Sequence, residues 1–370
     1  MVGNSHYSIY VHIPLCTKKC DYCHFYVVPD KEPYHALLSE GLKLEWEAYR
    51  SHFQGRNLAS VYFGGGTPSL FDPRSIEKIL SFLPCCSATE ITLEANPENL
   101  SEQRIREFAD AGINRLSIGI QSLDDKQLEL LTRGHGAQKA IDGIEAAFAA
   151  GIENISIDLM YDIPEQTLEN WKETLRLAIN LPITHLSLYN LTFEPHTVFF
   201  KHRERLKASL PSEETSASMY KTAVETLTAN GFIQYEISAF CKPNRQSVHN
   251  SGYWTGREFI GLGPSAFSYW NGSRFRNIAR LHQWHQALKE GKSPVDYSES
   301  LAPAAAQKEK LAIRLRLLEG VNLSEFKIDR ETSDGIKRMI ASELLALEKG
   351  VLRLTEKGIL FYDTVATEII

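Results

Sequence analysis

Short β-rich runs alternate with helix-patterned segments at the spacing of β-α-β units, and this constrains the fold more than any other feature of the chain. The runs are 7–13, 59–63, 90–93, 116–120, 155–160 and 185–189. Between them, segment 33–53 places Leu37, Leu38, Leu42 and Trp46 on one helical face. Segment 101–111 opens on an N-cap serine, Ser101, and meets Gly112 at its end; 137–150 and 167–180 repeat the pattern. Strands joined by helical crossovers run parallel with right-handed connections. Six such units fall short of the eight that close a full barrel. Each strand also leads into chemistry-bearing residues. Cys16, Cys20 and Cys23 follow the first, and Gly64-Gly65-Gly66-Thr67-Pro68 follows the second. Glu94 ends the third with Asn96-Pro97 behind it, and Gly119 and Gln121-Ser122 end the fourth. Asp158 lies in the fifth, and Asn190 to Thr192 follow the sixth. Polar or glycine-rich groups at the carboxyl end of every strand converge on one pocket, as on the top face of a parallel barrel. The expected architecture is α/β, a partial (β/α)6 barrel followed by a smaller domain.

Beyond Leu210 the pattern changes. Segment 211–230 reads as one long helix and 235–237 as a strand, followed by a polar, aromatic stretch over 244–277. The chain is helix-rich from 281 and closes with 343–349, Gly350, a short strand at 351–354 and a helix capped by Thr355. This divides it into a barrel over 1–240, an aromatic junction over 241–280, and a winged-helix-like domain over 281–370. A DNA-binding role for the last unit fails on charge: it carries 13 Lys and Arg against 14 Asp and Glu. The whole chain has 40 Lys and Arg against 46 Asp and Glu, which excludes a polybasic nucleic-acid binder. No run approaches the roughly 18 apolar residues of a membrane span, and residues 1–13 lack the basic and apolar regions of a leader. A cytoplasmic protein is expected.

Cys85 and Cys86 are adjacent and Cys241 is alone; the expectation for these is burial as small hydrophobes. The remaining three fall within eight residues. Cys16-x-x-x-Cys20-x-x-Cys23 supplies three thiolates from one tight loop. A four-iron cluster usually takes four thiolates, so three would leave one iron open to an external ligand. His24 could instead complete a Cys₃His zinc set. Taken alone, the triplet favours iron–sulfur over zinc.

Cys16-x₃-Cys20-x-Tyr22-Cys23, followed by Gly64-Gly65-Gly66-Thr67-Pro68, resembles the radical S-adenosylmethionine (SAM) enzymes. The resemblance implies a [4Fe-4S] cluster on Cys16, Cys20 and Cys23 that binds SAM at its open iron. The oxygen-independent coproporphyrinogen oxidase subfamily is similar over nearly the whole chain. Tyr10, Tyr22, Gly65, Gly66, Thr67, Glu94, Gln121, Arg133, Asp158 and Thr192 stand where that subfamily contacts SAM, and Leu354-Thr355-x-x-Gly358 resembles its C-terminal domain. Glu94 would accept from the methionine amino group, Asp158 from a ribose hydroxyl, and Arg133 would grip a carboxylate bidentately. The glycines would let backbone approach the methionine moiety.

One departure redirects the function. The oxidases carry a further cysteine two residues after the third, where this chain has Phe25. Cys23-His24-Phe25 instead resembles the heme-chaperone branch, as does His249-Asn250-Ser251-Gly252-Tyr253-Trp254. The branch implies heme binding at His249, Tyr253 and Trp254, with an exposed imidazole on a flexible loop serving iron and flat rings meeting the porphyrin. The function expected is to hold heme and transfer it to acceptor proteins, including membrane-bound respiratory ones. The alternative is SAM-dependent oxidative decarboxylation of coproporphyrinogen III.

Overall fold

All six expected strands form, and they lie side by side and parallel. The computed structural model describes residues 6–370; the first five residues of the segment read for a leader lie outside the described residues. The strands are β1 (His6–Ile13), β2 (Asn57–Gly65), β3 (Glu90–Ala95), β4 (Arg115–Gln121), β5 (Ile155–Tyr161) and β6 (His185–Asn190). β7 (Ile233–Glu236), β8 (Ala239–Cys241), β9 (Phe259–Leu262), β10 (Phe267–Trp270), β11 (Ser273–Asn277) and β12 (Val295–Ser300) extend the sheet at both edges. The resulting 12-stranded order is β12-β11-β10-β9-β1-β2-β3-β4-β5-β6-β8-β7. β9 runs parallel to β1, while the other added strands pair antiparallel.

Segment 241–280, expected as a junction, therefore supplies strands β9 to β11 of the barrel's own sheet. Runs of four or five residues are too short to show a period of two, which hid them in the sequence.

The strands bury Tyr7, Ile9, Val11 and Ile13 together with Leu93, Leu116, Ile157 and Leu186 in one core. Helices α1 (Glu32–Tyr49), α2 (Pro73–Phe82), α3 (Glu102–Asp110), α4 (Ala137–Ala149), α5 (Leu168–Ala178) and α6 (Glu213–Ala229) close over it. α1 contributes Leu38, Leu42 and Trp46, the face its spacing predicts. Ser101 caps α3 by accepting from the Arg104 amide. Two further helices, α7 (Val248–Thr255) and α8 (Leu281–Lys289), follow β8 and β11.

The C-terminal unit has a second core around Leu311, Val321, Ile336, Leu352 and Val365. Its strands β13 (Val321–Asn322), β14 (Leu345–Glu348) and β15 (Val351–Leu354) form a separate sheet of order β13-β15-β14. Helices α9 (Pro303–Arg314) and α10 (Arg330–Ala341) pack against it. Thr355 caps the following helix by accepting from the Gly358 amide, as its position predicts. Among the described residues no helix is long and apolar enough to cross a membrane.

The expectation for the unclustered cysteines holds only for Cys241. Cys85 is half-buried and Cys86 exposed, because they sit on the loop after α2, where the Cys86 thiol meets the Thr89 hydroxyl instead of the core.

Candidate functional site

The cysteine loop is tied down at its base and its tip. Leu15–Cys16 pairs with Val28–Pro29 as a two-stranded ribbon, and the Val28 amide donates to the Pro14 carbonyl at 2.8 Å. At the tip, the Asp21 amide donates to Thr132 Oγ1 at 3.0 Å and the Asp21 carbonyl accepts from the Phe199 amide at 3.0 Å. Cys16, Cys20 and Cys23 consequently face a cavity of about 350 Å³ at the carboxyl ends of the parallel strands. Tyr22, Gly65, Gly66, Thr67, Glu94, Gln121, Arg133, Asp158 and Thr192 line the same cavity. Residues from all six strand ends thus meet, as the sequence layout predicts.

Local backbone devices aim these groups. The β4–β5 register shifts between Gly119 and Gln121, and Gln121 takes a left-handed φ of 59°; this bulge turns its side chain into the cavity. Gly65 has a φ of 119°, and a Cβ on Gly66 would lie 2.5 Å from the Leu15 carbonyl oxygen. A Cβ on Gly65 would lie 2.6 Å from the His12 ring, so the packing of β1 and of the cysteine loop against β2 already demands glycine at both positions.

Two half-buried carboxylates dominate the electrostatics. Burial, with the Asp158 charge adding to it, pushes the Glu94 carboxyl up to about 7, although Tyr62 Oη donates to it at 2.8 Å and the Gly65 amide at 3.2 Å. Burial likewise raises Asp158 to about 6 against a hydrogen bond from Ser187. Each would gain from a cationic ligand. Burial also raises the Cys16 and Cys23 thiols, so a metal taking them as thiolates would displace protons.

Arg133 differs from its expected role. Its Nη2 donates to Asn96 Oδ1 at 2.8 Å and to the Gly119 carbonyl at 2.7 Å, while Nη1 lies 3.5 Å from Cys20 Sγ. A bidentate grip on a carboxylate would have to displace one of these. Its Nε, like Gln121 Oε1, is buried without a partner. The cavity therefore holds unspent donor and acceptor capacity, as a binding site does.

Tyr62 and Thr132 are site-building residues that the motifs do not mark, and Asn96, marked at the end of the third strand, is a third. Asn96 bridges Arg133 to Thr67 Oγ1 at 3.2 Å, and only its place behind Glu94 signals this. Tyr10 is brought beside the site, not into it: its hydroxyl bonds His12 Nδ1 at 3.0 Å and its ring stacks on Tyr62.

The His249 expectation needs correction. The segment is helix α7, with Ser247 as N-cap and Gly256 as left-handed C-cap, and His249 is 1% exposed. Nδ1 pairs with Ser60 Oγ at 2.9 Å and Nε2 with Tyr253 Oη at 2.8 Å, leaving neither nitrogen for iron. Burial, reinforced by Arg257 and Arg115, lowers its pKa to about 3, so the ring is neutral. The flanking Ser and Gly, and the four-residue spacing of His249 and Tyr253, were readable as a helix. Tyr253 and Trp254 do line a second cavity, of about 200 Å³, with Phe259, Phe267 and Tyr269. Trp254 Nε1 is buried there without a partner.

Comparison with known proteins agrees with this geometry. A profile of the radical SAM superfamily matches residues 10–178, and one of the HemN C-terminal domain matches 301–361. The heme chaperone HemW of Lactococcus lactis is 33% identical over 362 residues, spanning 95% of this chain and 94% of that protein. The chain belongs to the HemW family of radical SAM proteins. HemW of Escherichia coli is 32% identical, with 96% of each chain covered. The E. coli coproporphyrinogen III oxidase HemN, a radical SAM enzyme, superposes with a TM-score of 0.85 over 98% of this chain and 89% of its own at 22% identity, which establishes the common fold.

Membership of the superfamily implies a [4Fe-4S] cluster and SAM. The cavity fits them: three thiols on one loop, a half-buried cation beside one sulfur, and orphaned polar atoms on Gln121 and Arg133. The zinc alternative fits less well. A single ion needs donors converging at about 2.0–2.3 Å. Among the described residues no three His, Cys, Asp or Glu side chains converge in that way, whereas the separate irons of a cluster let three thiols stand apart on one loop; His24 lines the cavity with its ring against Phe25.

Proposed function

We propose that the protein is a cytoplasmic heme chaperone that carries a SAM-bound [4Fe-4S] cluster and hands heme to acceptor proteins, among them membrane-bound respiratory ones. The observation that carries this reading is Phe25. It lines the cluster cavity, 54% exposed, where the oxidases place a further cysteine, in a chain similar end to end to proteins named as heme chaperones.

Cys16, Cys20 and Cys23 would hold the cluster. A cluster with three protein thiolates supplies an open iron for the amino and carboxylate groups of SAM. Glu94 retains lone pairs beyond those used by Tyr62 and Gly65 and would accept from the methionine amino group. Asp158 would accept from a ribose hydroxyl, while Gln121 and Thr192 offer the cavity polar groups. Tyr10 would act from behind, through Tyr62. Heme is the cargo. The rings of Tyr253 and Trp254 would meet the porphyrin, with His249 fixing the Tyr253 hydroxyl rather than ligating iron.

The test is anaerobic product analysis with SAM, a strong reductant and coproporphyrinogen III, run beside a heme titration. The expected result is saturable heme binding without decarboxylated product. Product well above a no-enzyme control would establish the oxidase reading in its place, and absence of heme binding would remove the chaperone reading.

A further inference from the structure

The structure places a cation on one cluster cysteine. Arg133 Nη1 lies 3.5 Å from Cys20 Sγ. The groups that hold the guanidinium, Asn96 Oδ1 and the Gly119 carbonyl, are both neutral. The neighbouring carboxylate of Glu98 is taken by His135 Nδ1 at 3.1 Å. The Arg133 charge also reaches Tyr22, Glu98 and Asp158, and Cys20 Sγ is the cluster sulfur within its hydrogen-bonding range. The other cysteines have different surroundings: Cys16 Sγ meets the Thr67 hydroxyl at 3.9 Å and the Lys18 carbonyl at 3.1 Å, and Cys23 feels the charge of Lys19, whose Nζ donates to the Phe25 carbonyl at 2.8 Å.

The preceding residue fixes this alignment. Thr132 takes a left-handed φ of 54°, an unfavourable state for a β-branched residue, and uses its Oγ1 to accept from the Asp21 amide. Two adjacent residues therefore clamp two adjacent residues, Thr132 on Asp21 and Arg133 on Cys20. Strain at Thr132 is explained if the turn must deliver the guanidinium to that sulfur.

We infer that Arg133 is a positioning and redox-tuning residue that raises the reduction potential of the cluster through Cys20. The inference rests on the cluster reading above. Reduction adds one electron from an external donor such as dithionite, with no bond made or broken. The reduced cluster is more negative, and an N–H donor and positive charge at a ligating sulfur stabilise it selectively.

The experiment is a mediated redox titration of anaerobically reconstituted protein without SAM, followed by electron paramagnetic resonance and normalised to iron content. Arg133→Gln should lower the reduced-to-oxidised ratio at the wild-type midpoint about tenfold, a shift of about 59 mV for one electron. Arg133→Lys should fall between. Asn96→Asp leaves the arginine in place but sets a carboxylate against it, and should move the midpoint in the same direction. It also decides the matter where Arg133→Gln fails to assemble a cluster. Unmoved midpoints with intact clusters overturn the inference and leave the cluster reading standing. A wild-type protein without a four-iron signal removes both.

Discussion

The cluster cavity and helix α7 both contain motif residues, yet the polar groups of the cavity and those of His249 are in opposite states. In the cavity, Gln121 Oε1 and Arg133 Nε are buried without partners, and burial raises Glu94 and Asp158 towards neutrality. In α7, His249 has both ring nitrogens engaged, and its backbone amide donates to Glu90 at 2.9 Å. Burying a polar group without a partner costs free energy that a ligand can return. A satisfied network offers a ligand nothing and stabilises the fold instead. The first region is organised for binding and the second, at His249, for cohesion.

The largest effect that would break this contrast is loss of the cluster. Cys20→Ala should reduce iron and sulfide in anaerobically reconstituted protein to near background. Undiminished content would take Cys20 out of the ligand set and the cavity out of cluster chemistry. His249→Ala is the matching probe of α7. It leaves the Tyr253 hydroxyl without its partner, leaves the Ser60 hydroxyl with Ser8 alone, and opens a void, which should destabilise the protein by about 2–4 kcal/mol in denaturant unfolding. The shape of the heme absorption spectrum should be unchanged. A shifted Soret band at wild-type stability would instead make His249 an iron ligand.

Much of this was legible in the sequence, for definable reasons. Strand ends carry the site, so the positions of Cys16, Gly65, Glu94, Gln121 and Asp158 along the chain already put them on one face. Helix α3 announced itself through Ser101 and Gly112. What escaped was set by long-range pairing. β9 is too short for a periodic signal and is defined by its partner β1. The role of Arg133 depends on Asn96 and Cys20, 37 and 113 residues away. The burial of His249 depends on Ser60, 189 residues away.

A smaller effect sharpens the binding side of the contrast. Glu94 and Asp158 have carboxyls raised to about 7 and 6, so both take up protons as pH falls from 8 to 5.5. The sulfonium charge, and an amino group made a stronger donor by the iron it would ligate, favour the ionised forms, lowering those values on binding. SAM affinity, measured calorimetrically on the reconstituted protein, should therefore fall with decreasing pH, by up to about tenfold per pH unit and per group in that window. Glu94→Gln should bind SAM more weakly, with a flatter profile below pH 7 and nearly intact cluster content. A flat wild-type profile would show that neither carboxylate faces the cation.

The smallest expected effect separates the two ends of Tyr253. Its hydroxyl points inward to His249 Nε2 at 2.8 Å, while its ring lines the second cavity beside Trp254. Tyr253→Phe removes the hydrogen bond and keeps the ring. Stability should drop by about 0.5–1.5 kcal/mol, the net worth of one buried bond, with heme affinity unchanged. Trp254→Ala removes ring contact without touching the network, so it should weaken heme binding by about 0.5–1.5 kcal/mol while His249 stays paired. Heme titration and denaturant unfolding of the two variants then form a crossed test. If Tyr253→Phe weakens heme binding and leaves stability alone, the hydroxyl belongs to the cargo site, and the division between a cohesive inner face and a binding outer face of α7 fails.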